Sequence, residues 1–349
     1  MTSGAPNSAA GYRRLIRDTS GFMFDPMKRC LIVGLTVASA FVASQAKAWN
    51  DFGHMEVAAA AYKQLHVKTK QRVAELLKIN PSYMNWIVGA RDSDRNRVAF
   101  IRAATWADAI KSHLSGYKTS AKDDPQSGPA AAQNIGYQDM LAHSYWHYVN
   151  LPIPATGPAP ATPNVSTQIP LFRDTLASAS APDSLKSYDL VWLLHLVGDV
   201  HQPLHCVARI NAAEPSGDQG GNKVKVMGNA QPPVCDDAQY CPFGPPGELH
   251  AFFDVIEGSG YAVAPVEAAA AKLPKPDVAA AANLDVSAWV QEGLKLAQTK
   301  VYVTPIGDGD GPFVITPAYQ AAAYTLGQER MALAGARLAN LLNQALDPH

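Results

Sequence analysis

Apolar residues recur at helical spacing along most of this chain, and the apolar–polar alternation typical of strands is scarce. One strong helix is predicted to start at a cap formed by Asp183-Ser184 and to continue through Val197. The other predicted helices are residues 56–79, 99–112, 131–148, about 285–302 and 317–346, and the predicted loops are residues 116–128, 153–165 and 209–247. The sequence therefore predicts an all-α fold, with a single mostly helical domain and long loops.

The first 48 residues are predicted to be a leader with a secretory signal peptide. Met27, which we interpret as the true start, begins a basic stretch that leads into an apolar run and then into Ala46-Lys47-Ala48. Cleavage after Ala48 would leave a domain of residues 49–349, exported to the periplasm or secreted. The free amine and the carbonyl oxygen of Trp49 could then chelate one metal ion. The alternative is an ordinary leader that happens to be followed by a tryptophan.

The charge balance gives no sign of a basic nucleic-acid-binding surface. The leader carries six basic and two acidic residues, so the rest of the chain has 23 Lys and Arg against 28 Asp and Glu, a formal charge of −5. Proteins that bind nucleic acid through Lys and Arg usually have a basic surplus. An enzyme of nucleic acids with this balance must hold phosphate by other means, and bound metal is the obvious candidate.

Beyond the leader, no apolar stretch approaches the roughly 20 residues that span a bilayer, so we expect no membrane anchor. Three cysteines follow the leader. Cys235 and Cys241 flank a short loop, and we expect them to form a local disulfide in an exported protein. Cys206 is left over and is interpreted as a small buried thiol rather than a metal ligand.

Two His-x-x-x-Asp pairs indicate metal binding. His195 and Asp199 are four residues apart, as are His250 and Asp254, so each pair lies on one face of a helix and can reach one ion. Pro203 is expected to break the helix and turn His205 toward a second, nearby site. Asp108 and His147, each close to a tryptophan, are weak signals when taken alone, because such residues are more often structural.

Taken as a set, these motifs resemble the trinuclear-zinc single-strand nuclease family of fungi, plants and bacteria, whose fold is all-α and is shared with zinc phospholipases C. The matching segments are Trp49-Asn-Asp-Phe-Gly53-His54, Thr105-Trp106-Ala107-Asp108, Trp146-His147-Tyr148, His195-Leu-Val-Gly198-Asp199-Val-His-Gln-Pro-Leu-His205, Gly217-Asp-Gln-Gly-Gly-Asn222 and Leu249-His250-Ala-Phe-Phe-Asp254. They extend from residue 49 to about residue 255.

The resemblance implies three zinc ions in one cleft, although Mn or Co also suits this ligand type. It assigns Asp108, His147, His195 and Asp199 to the first ion. It assigns the Trp49 amine and carbonyl oxygen, His54 and the other side of Asp199 to the second. It assigns His205, His250 and Asp254 to the third. Asp199 would thus bridge two ions about 3.5–4 Å apart.

The same resemblance implies catalytic roles for Asp108, Asp199 and Lys111. Lys111 matches the family's cationic position and would stabilise charge on the phosphoryl oxygens, although a solvated helix residue is an equally good interpretation. Asn150 is a departure, because several fungal members have an acidic residue three positions after the first-site histidine. An amide can orient a water molecule but cannot accept its proton.

The implied activity is hydrolysis of single-stranded DNA and RNA to 5′-phosphorylated products by a monomeric secreted enzyme, with 3′-mononucleotides as further substrates. Tyr148 and Asn222 are candidates for binding the base. Core packing for Tyr148, and a tight turn around Asn222, are equally good interpretations.

Two other functions fit some of the same features. A zinc phospholipase C would share the fold and the metal arrangement, but in that family the first histidine follows the terminal Trp at a longer interval and the last ligand is typically Glu. The five-residue step from Trp49 to His54, and Asp254 itself, favour the nuclease. A non-catalytic exported metal-binding protein is the second alternative, and it would need only tight metal retention.

Overall fold

The computed structural model describes residues 49–228 and 247–347. The predicted leader, the cleavage site after Ala48 and the Cys235–Cys241 pair lie outside these residues. The helices are α1 (Asp51–Gln64), α2 (Val67–Lys78), α3 (Tyr83–Trp86), α4 (Arg95–Ala103), α5 (Trp106–Ala109), α6 (Val165–Ala177), α7 (Asp183–Asp199), α8 (Leu249–Asp254), α9 (Val263–Ala270), α10 (Val278–Ala282), α11 (Val286–Leu296) and α12 (Pro317–Leu346). The predicted all-α class is confirmed.

Strands are few and short in the described part of the chain. β1 (Leu151–Ile153) pairs in parallel with β2 (Val207–Arg209), with Leu151 opposite Val207. β3 (Val226–Met227) pairs in parallel with β4 (Phe313–Val314). Because β1 and β2 begin shortly after His147 and His205 respectively, their pairing brings these two histidines side by side.

Helix α7 is the centre of the fold. Every residue from Ser187 to Asp199 is buried, as expected for a helix that is apolar on all sides. Helix α6 packs along α7, and α1 packs against both α7 and the long α12. A Cβ on Gly335 of α12 would lie 2.7 Å from Ala60 Cβ, so this glycine allows the close approach of α12 to α1. Polar side chains on α7 are therefore enclosed by protein.

The helices predicted at about 285–302 and at 317–346 are present as α11 and α12, and α12 has the predicted limits. The later part of 285–302 is not α-helical, because residues 297–301 form a π-helical turn. The prediction that Asp183 caps α7 is wrong by one residue: Pro182 precedes the helix, and Asp183 is its first residue.

The single helix predicted over residues 56–79 is wrong, because the chain breaks at Leu65 and His66 between α1 and α2. The Asn343 side chain stabilises the break. Its Oδ1 accepts from His66 N at 2.9 Å and its Nδ2 donates to Gln64 O at 3.1 Å. A residue 277 positions away thus satisfies backbone groups that a continuous helix would satisfy itself.

Two further helix predictions are wrong in part or entirely. Residues 99–112 divide into the end of α4 and the short α5. Residues 131–148 are mostly turns, with a 3₁₀ helix only at Ser144–His147. Gly136, Met140 and His143 all have positive φ there, which an α-helix cannot contain. Tertiary packing therefore outweighs local helix propensity in this segment.

No helix within residues 49–228 and 247–347 is both long and apolar enough to cross a bilayer. Cys206 is a free buried thiol whose Sγ lies 3.4 Å from Val200 O, which confirms its predicted structural role.

Candidate metal centre

Eight of the predicted ligands come together in the interior of the molecule. Six elements contribute them: α1, α5, the 3₁₀ helix at Ser144–His147, α7, the 3₁₀ helix at Pro203–Cys206, and α8. All eight side chains belong to residues that are at most 7% exposed: His54, Asp108, His147, His195, Asp199, His205, His250 and Asp254. A buried cluster of this size and charge needs compensating partners.

Asp199, at the C-terminal end of α7, lies at the middle of the cluster. Its Oδ2 is 2.8 Å from His147 Nδ1, and its Oδ1 is 3.3 Å from the Nε2 atoms of both His54 and His195. Oδ2 thus faces His147, whereas Oδ1 faces both His54 and His195. Both oxygens are therefore directed at nitrogen donors of the cluster.

Asp108 completes the first group. Its Oδ1 is 3.6 Å from His195 Nε2 and 3.9 Å from His147 Nδ1, and these two histidine nitrogens are 3.1 Å apart. The Asp108 carboxylate also forms a close ion pair with Lys111 Nζ. Lys111 is 8% exposed, so its interpretation as a solvated helix residue is wrong and it is a buried cation at the edge of the cluster.

His54 is held between α1 and α7. Its ring stacks on the His195 ring with the centroids 3.7 Å apart and the planes at 18°. A Cβ on Gly198 would lie 2.9 Å from His54 Nδ1, so only glycine leaves room for this ring. Gly198 was not identified from the sequence as a residue that shapes the site. The signal that could have identified it is a glycine inside an apolar helix, directly before Asp199.

His205, His250 and Asp254 form a separate group. The Nε2 atoms of His205 and His250 are 3.0 Å apart, and His250 Nε2 is 3.6 Å from Asp254 Oδ2. The prediction that Pro203 redirects His205 is confirmed, because α7 ends at Asp199 and a 3₁₀ helix at Pro203–Cys206 presents His205 to α8.

Backbone carbonyls fix the tautomers of three of the histidines. Nδ1 of His195 donates to Ala104 O at 2.7 Å, that of His205 to His147 O at 2.9 Å, and that of His250 to Gly220 O at 2.7 Å. A carbonyl can only accept, so Nδ1 carries the proton and Nε2 presents a lone pair to the cluster. Metal-binding histidines are commonly held in this way. Sequence reasoning could not find these carbonyls, because a backbone acceptor leaves no residue signature.

The Nε2 lone pairs of His205 and His250 therefore face each other, and two acceptors cannot hydrogen-bond. A cation between them resolves the conflict. Two nitrogen ligands at about 2.0–2.1 Å from a tetrahedral Zn²⁺ are about 3.3 Å apart, close to the separation seen here. Nitrogen and oxygen donors without thiolate suit zinc, and Mn or Co to a lesser degree. The residues fit the metal that the resemblance implies.

The electrostatics of the cluster are also those of a metal site. Burial, together with the charges of Asp108 and Asp254, raises the pKa of Asp199 well above its usual range. Burial and nearby positive groups, including Lys111, hold the pKa values of His147 and His205 well below the ordinary histidine range. Imidazoles that stay neutral are ready to ligate, and a divalent cation supplies the charge that ionises the carboxylates.

Trp49 lies next to this cluster and is 1% exposed. The following residue anchors it, since Asn50 N donates to Asp254 O at 3.0 Å and Asn50 Nδ2 donates to Gly258 O at 2.6 Å. Asn50 Oδ1 also caps α1 by accepting from Gly53 N. The backbone at residues 49–50 is therefore fixed between α1, which carries His54, and the end of α8, which carries Asp254.

The remaining predicted residues lie outside the buried cluster. Tyr148 and Asn150 follow His147 and are half-buried, and burial raises the pKa of the Tyr148 phenol. Asn222 is also half-buried, and its Nδ2 donates to Gln219 O, which supports the tight-turn interpretation. The same Gly-rich loop supplies Gly220 O to His250, so it serves the third group directly.

Comparison with known families agrees with this geometry. A family model described as S1/P1 nuclease matches residues 49–347, which is most of the chain and begins at Trp49. No curated protein matches the chain.

Proposed function

The chain belongs to the S1/P1 nuclease family, a family of metal-dependent hydrolases, and we propose that it is a zinc-dependent endonuclease of single-stranded DNA and RNA that leaves 5′-phosphorylated products. One observation carries the proposal. The eight buried side chains form three sets of possible ligands, and within each set the candidate ligand atoms lie within 4.8 Å of one another: His54, His195 and Asp199; Asp108, His147 and His195; and His205, His250 and Asp254.

We assign three zinc ions to this cluster, and we place His195, which the first two sets share, with the first ion. Asp108, His147, His195 and Asp199 would hold the first, His54, Asp199 and the Trp49 terminus the second, and His205, His250 and Asp254 the third. The position of Asp199 supports the bridging role, because its Oδ2 lies 2.8 Å from His147 Nδ1 and its Oδ1 lies 3.3 Å from the Nε2 atoms of both His54 and His195. When bound, zinc supplies Lewis acidity toward phosphate oxygens and lowers the pKa of water toward neutrality.

Residues of the chain itself would position and stabilise the reacting phosphodiester. The Lys111 ammonium, paired with Asp108, provides a fixed positive charge at the rim of the first group, where it can stabilise developing negative charge on a phosphoryl oxygen. Asn150 can orient a water molecule but cannot accept its proton. The enzyme therefore lacks a side-chain base at that position, and its pH profile should not show the titration of a carboxylate there.

The role of Trp49 requires export and processing. Cleavage after Ala48 would free the Trp49 amine, and the start of the family match at this residue supports that boundary. The hydrogen bond from Asn50 N to Asp254 O would hold the new terminus in place beside His54. Removal of the leader would then complete the second ligand set.

Single strands are the expected substrate because a deeply buried cluster needs close access to a phosphodiester. We propose that the half-buried Tyr148 ring, which packs against the core next to His147, offers its remaining surface for a base to stack on, and that Asn222 contacts the same nucleotide. A nucleotide bound this way with a terminal 3′-phosphate would also be a substrate, so we propose 3′-nucleotidase activity as a second reaction of the same site.

The test is metal analysis and cleavage assays on protein that begins at Trp49. We expect three zinc ions per chain and rapid cleavage of single-stranded DNA and RNA, with slow cleavage of duplex DNA and 5′-phosphates on the products. Metal-loaded protein that hydrolyses phosphatidylcholine but not single strands would be a phospholipase C. Metal-loaded protein that is inert toward both would be a non-catalytic metal-binding protein, and either result would overturn the proposal.

A further inference from the structure

The turn between the proposed ligands Asp199 and His205 contains a fully buried amide, Gln202. We propose that Gln202 is a positioning residue that makes Asp254 a ligand through one oxygen only, and so keeps a coordination position of the third ion open for substrate phosphate. This inference rests on the proposed function, since it concerns the third ion of that site.

The orientation of the amide follows from its partners. Leu204 N lies 2.6 Å from Gln202 Oε1, and a backbone N–H can only donate, so this atom must be the oxygen. The other end, Nε2, lies 3.0 Å from Asp254 Oδ1 and donates to it. Because Leu204 fixes one end, the amide cannot flip without losing both hydrogen bonds.

The two oxygens of Asp254 are therefore different. Oδ1 accepts from Gln202, whereas Oδ2 faces the histidines and lies 3.6 Å from His250 Nε2. The hydrogen bond uses one lone pair of Oδ1 and orients the carboxylate so that Oδ2 is the oxygen that faces the histidines. With Gln202 in place, His205, His250 and Asp254 supply three donor atoms. A tetrahedral catalytic zinc has three protein ligands and one position for water or substrate.

A buried charged network from the C-terminal part of the chain holds the turn that carries Gln202. Arg330 Nε donates to His201 O at 3.2 Å, and Arg337 Nη1 donates to His201 Nε2 at 2.9 Å. His201 Nδ1 in turn donates to Val197 O at 2.7 Å. The residue before Gln202 is thus fixed at its side chain and at its backbone.

Glu292 joins the two arginines. Its carboxylate accepts from Arg337 Nη1 and Nη2, both at 2.7 Å, and from Arg330 Nη1 at 3.1 Å. Arg337 is fully buried, and its guanidinium also lies over the Trp289 ring, 5.1 Å from the centroid. Helices α11 and α12 follow the last proposed ligand in sequence, yet through this network they set the position of an amide at the third group.

The test compares Q202M and Q202E with wild type and with Q168M. Met keeps the volume of Gln but removes both hydrogen bonds, whereas Glu can still accept from Leu204 N but places an acceptor against Asp254. Gln168 of α6 is 1% exposed and accepts from Thr167, so Q168M removes an equally buried amide without touching the cluster. Zinc affinity is measured by chelator competition, and the zinc-loaded proteins are crystallised.

We expect Q202M and Q202E to bind two ions as tightly as wild type and the third about 10–100-fold more weakly, as is typical when a residue that orients a ligand is removed. In crystals of Q202M both Asp254 oxygens should contact the third ion, and Q168M should match wild type. Unchanged affinity for the third ion with one-oxygen ligation in Q202M would overturn the inference, and so would equal weakening in Q168M.

A second route covers the case in which Q202M does not fold. R337K shortens the side chain that contacts His201 while keeping its positive charge. We expect the third ion to bind more weakly and the affinities of the other two to stay unchanged. A third ion bound with wild-type affinity would contradict the inference. All these readouts measure zinc rather than turnover. If wild-type protein binds three ions but cleaves no nucleic acid, the proposed function fails while the role of Gln202 is still decided.

Discussion

The substitution G198A tests the geometry of the cluster at its tightest point. A Cβ at this position of α7 would lie 2.9 Å from His54 Nδ1 and 3.2 Å from His54 Cε1. Non-bonded heavy atoms prefer separations of about 3.5–4.0 Å, so the imidazole must move by about 0.5 Å or more. The rest of the chain restricts where it can go.

Other neighbours also hold the His54 ring. It stacks on His195 with the ring centroids 3.7 Å apart, and its Nε2 lies 3.3 Å from Asp199 Oδ1. Bond lengths in a metal site hold to about 0.2 Å, which is less than half of the required shift. We therefore expect G198A to lose the ion that His54 binds, or to bind it at least 10–100-fold more weakly, with the His205 group unaffected.

The cost in folding should be modest. Overpacking a core typically costs about 1–3 kcal/mol. Replacing Gly by Ala inside a helix raises the free energy of unfolding by about 1 kcal/mol, because Ala has the higher helix propensity. The net loss in the free energy of unfolding should therefore be about 0–2 kcal/mol, so the protein should fold and its zinc content can be measured.

G335A is the matched control. Its Cβ would lie 2.7 Å from Ala60 Cβ and 3.1 Å from Val57 O, a similar clash between helices that involves no proposed ligand atom. Both variants are compared by denaturant unfolding, metal analysis and chelator competition on protein that begins at Trp49. We expect similar destabilisation but loss of zinc only in G198A. A G198A protein with three ions of wild-type affinity would refute the reasoning.

Three further outcomes follow from the same structure. Protein extended by Ala48 should lose one ion and most activity relative to protein that begins at Trp49, and equal metal content and activity would rule out the N-terminal ligand. K111M should keep three ions but lose about 10²–10³-fold in kcat, as when one stabilising donor is removed, and an unchanged kcat would exclude the role of Lys111. Burial raises the pKa of Asp189 from 3.8 to about 8, so this carboxyl stays protonated in the folded protein while it ionises in the unfolded chain. Its contribution to stability is therefore lost as pH rises between about 4 and 8. The free energy of unfolding should fall by up to about 1.4 kcal/mol per pH unit more in wild type than in D189N, and parallel pH profiles would contradict this.

The parts of the site that could be predicted from the sequence are those encoded locally. His195 with Asp199, and His250 with Asp254, are i,i+4 pairs, and helix geometry alone places each pair on one face. The redirection of His205 followed from Pro203, because proline lacks the backbone donor that would continue α7 and clashes with the preceding turn. Asp108 and His147 carried no such local information. Their place in the cluster depends on how separate segments pack around α7.

The wrong helix predictions have the same physical origin. Residues 131–148 have acceptable helix propensity, but their chain path is set by contacts with distant residues. Asn134 Nδ2 donates to Asp189 at 2.7 Å, Trp146 packs against Trp192, and His143 N donates to the Asp124 carboxylate. None of these contacts follows from a periodic pattern of residues in the sequence. The break between α1 and α2 likewise depends on Asn343, near the end of the chain.

The charge of the site explains how a chain without a basic surplus can belong to a nuclease family. From residue 49 onward the formal charge is −5, a total that already includes the three carboxylates of the buried cluster and the single ammonium of Lys111. Three divalent cations would change the formal charge of this cluster from −2 to about +4. The phosphodiester would then be attracted by the cations in the buried cluster rather than by a basic surface. In the proposed enzyme, the acidic residues that would repel substrate in the metal-free chain would also hold the ions that bind it, so substrate binding and metal retention would depend on one set of side chains. The buried network of α11 and α12 would then act on binding as well as on folding, because it fixes the turn between Asp199 and His205.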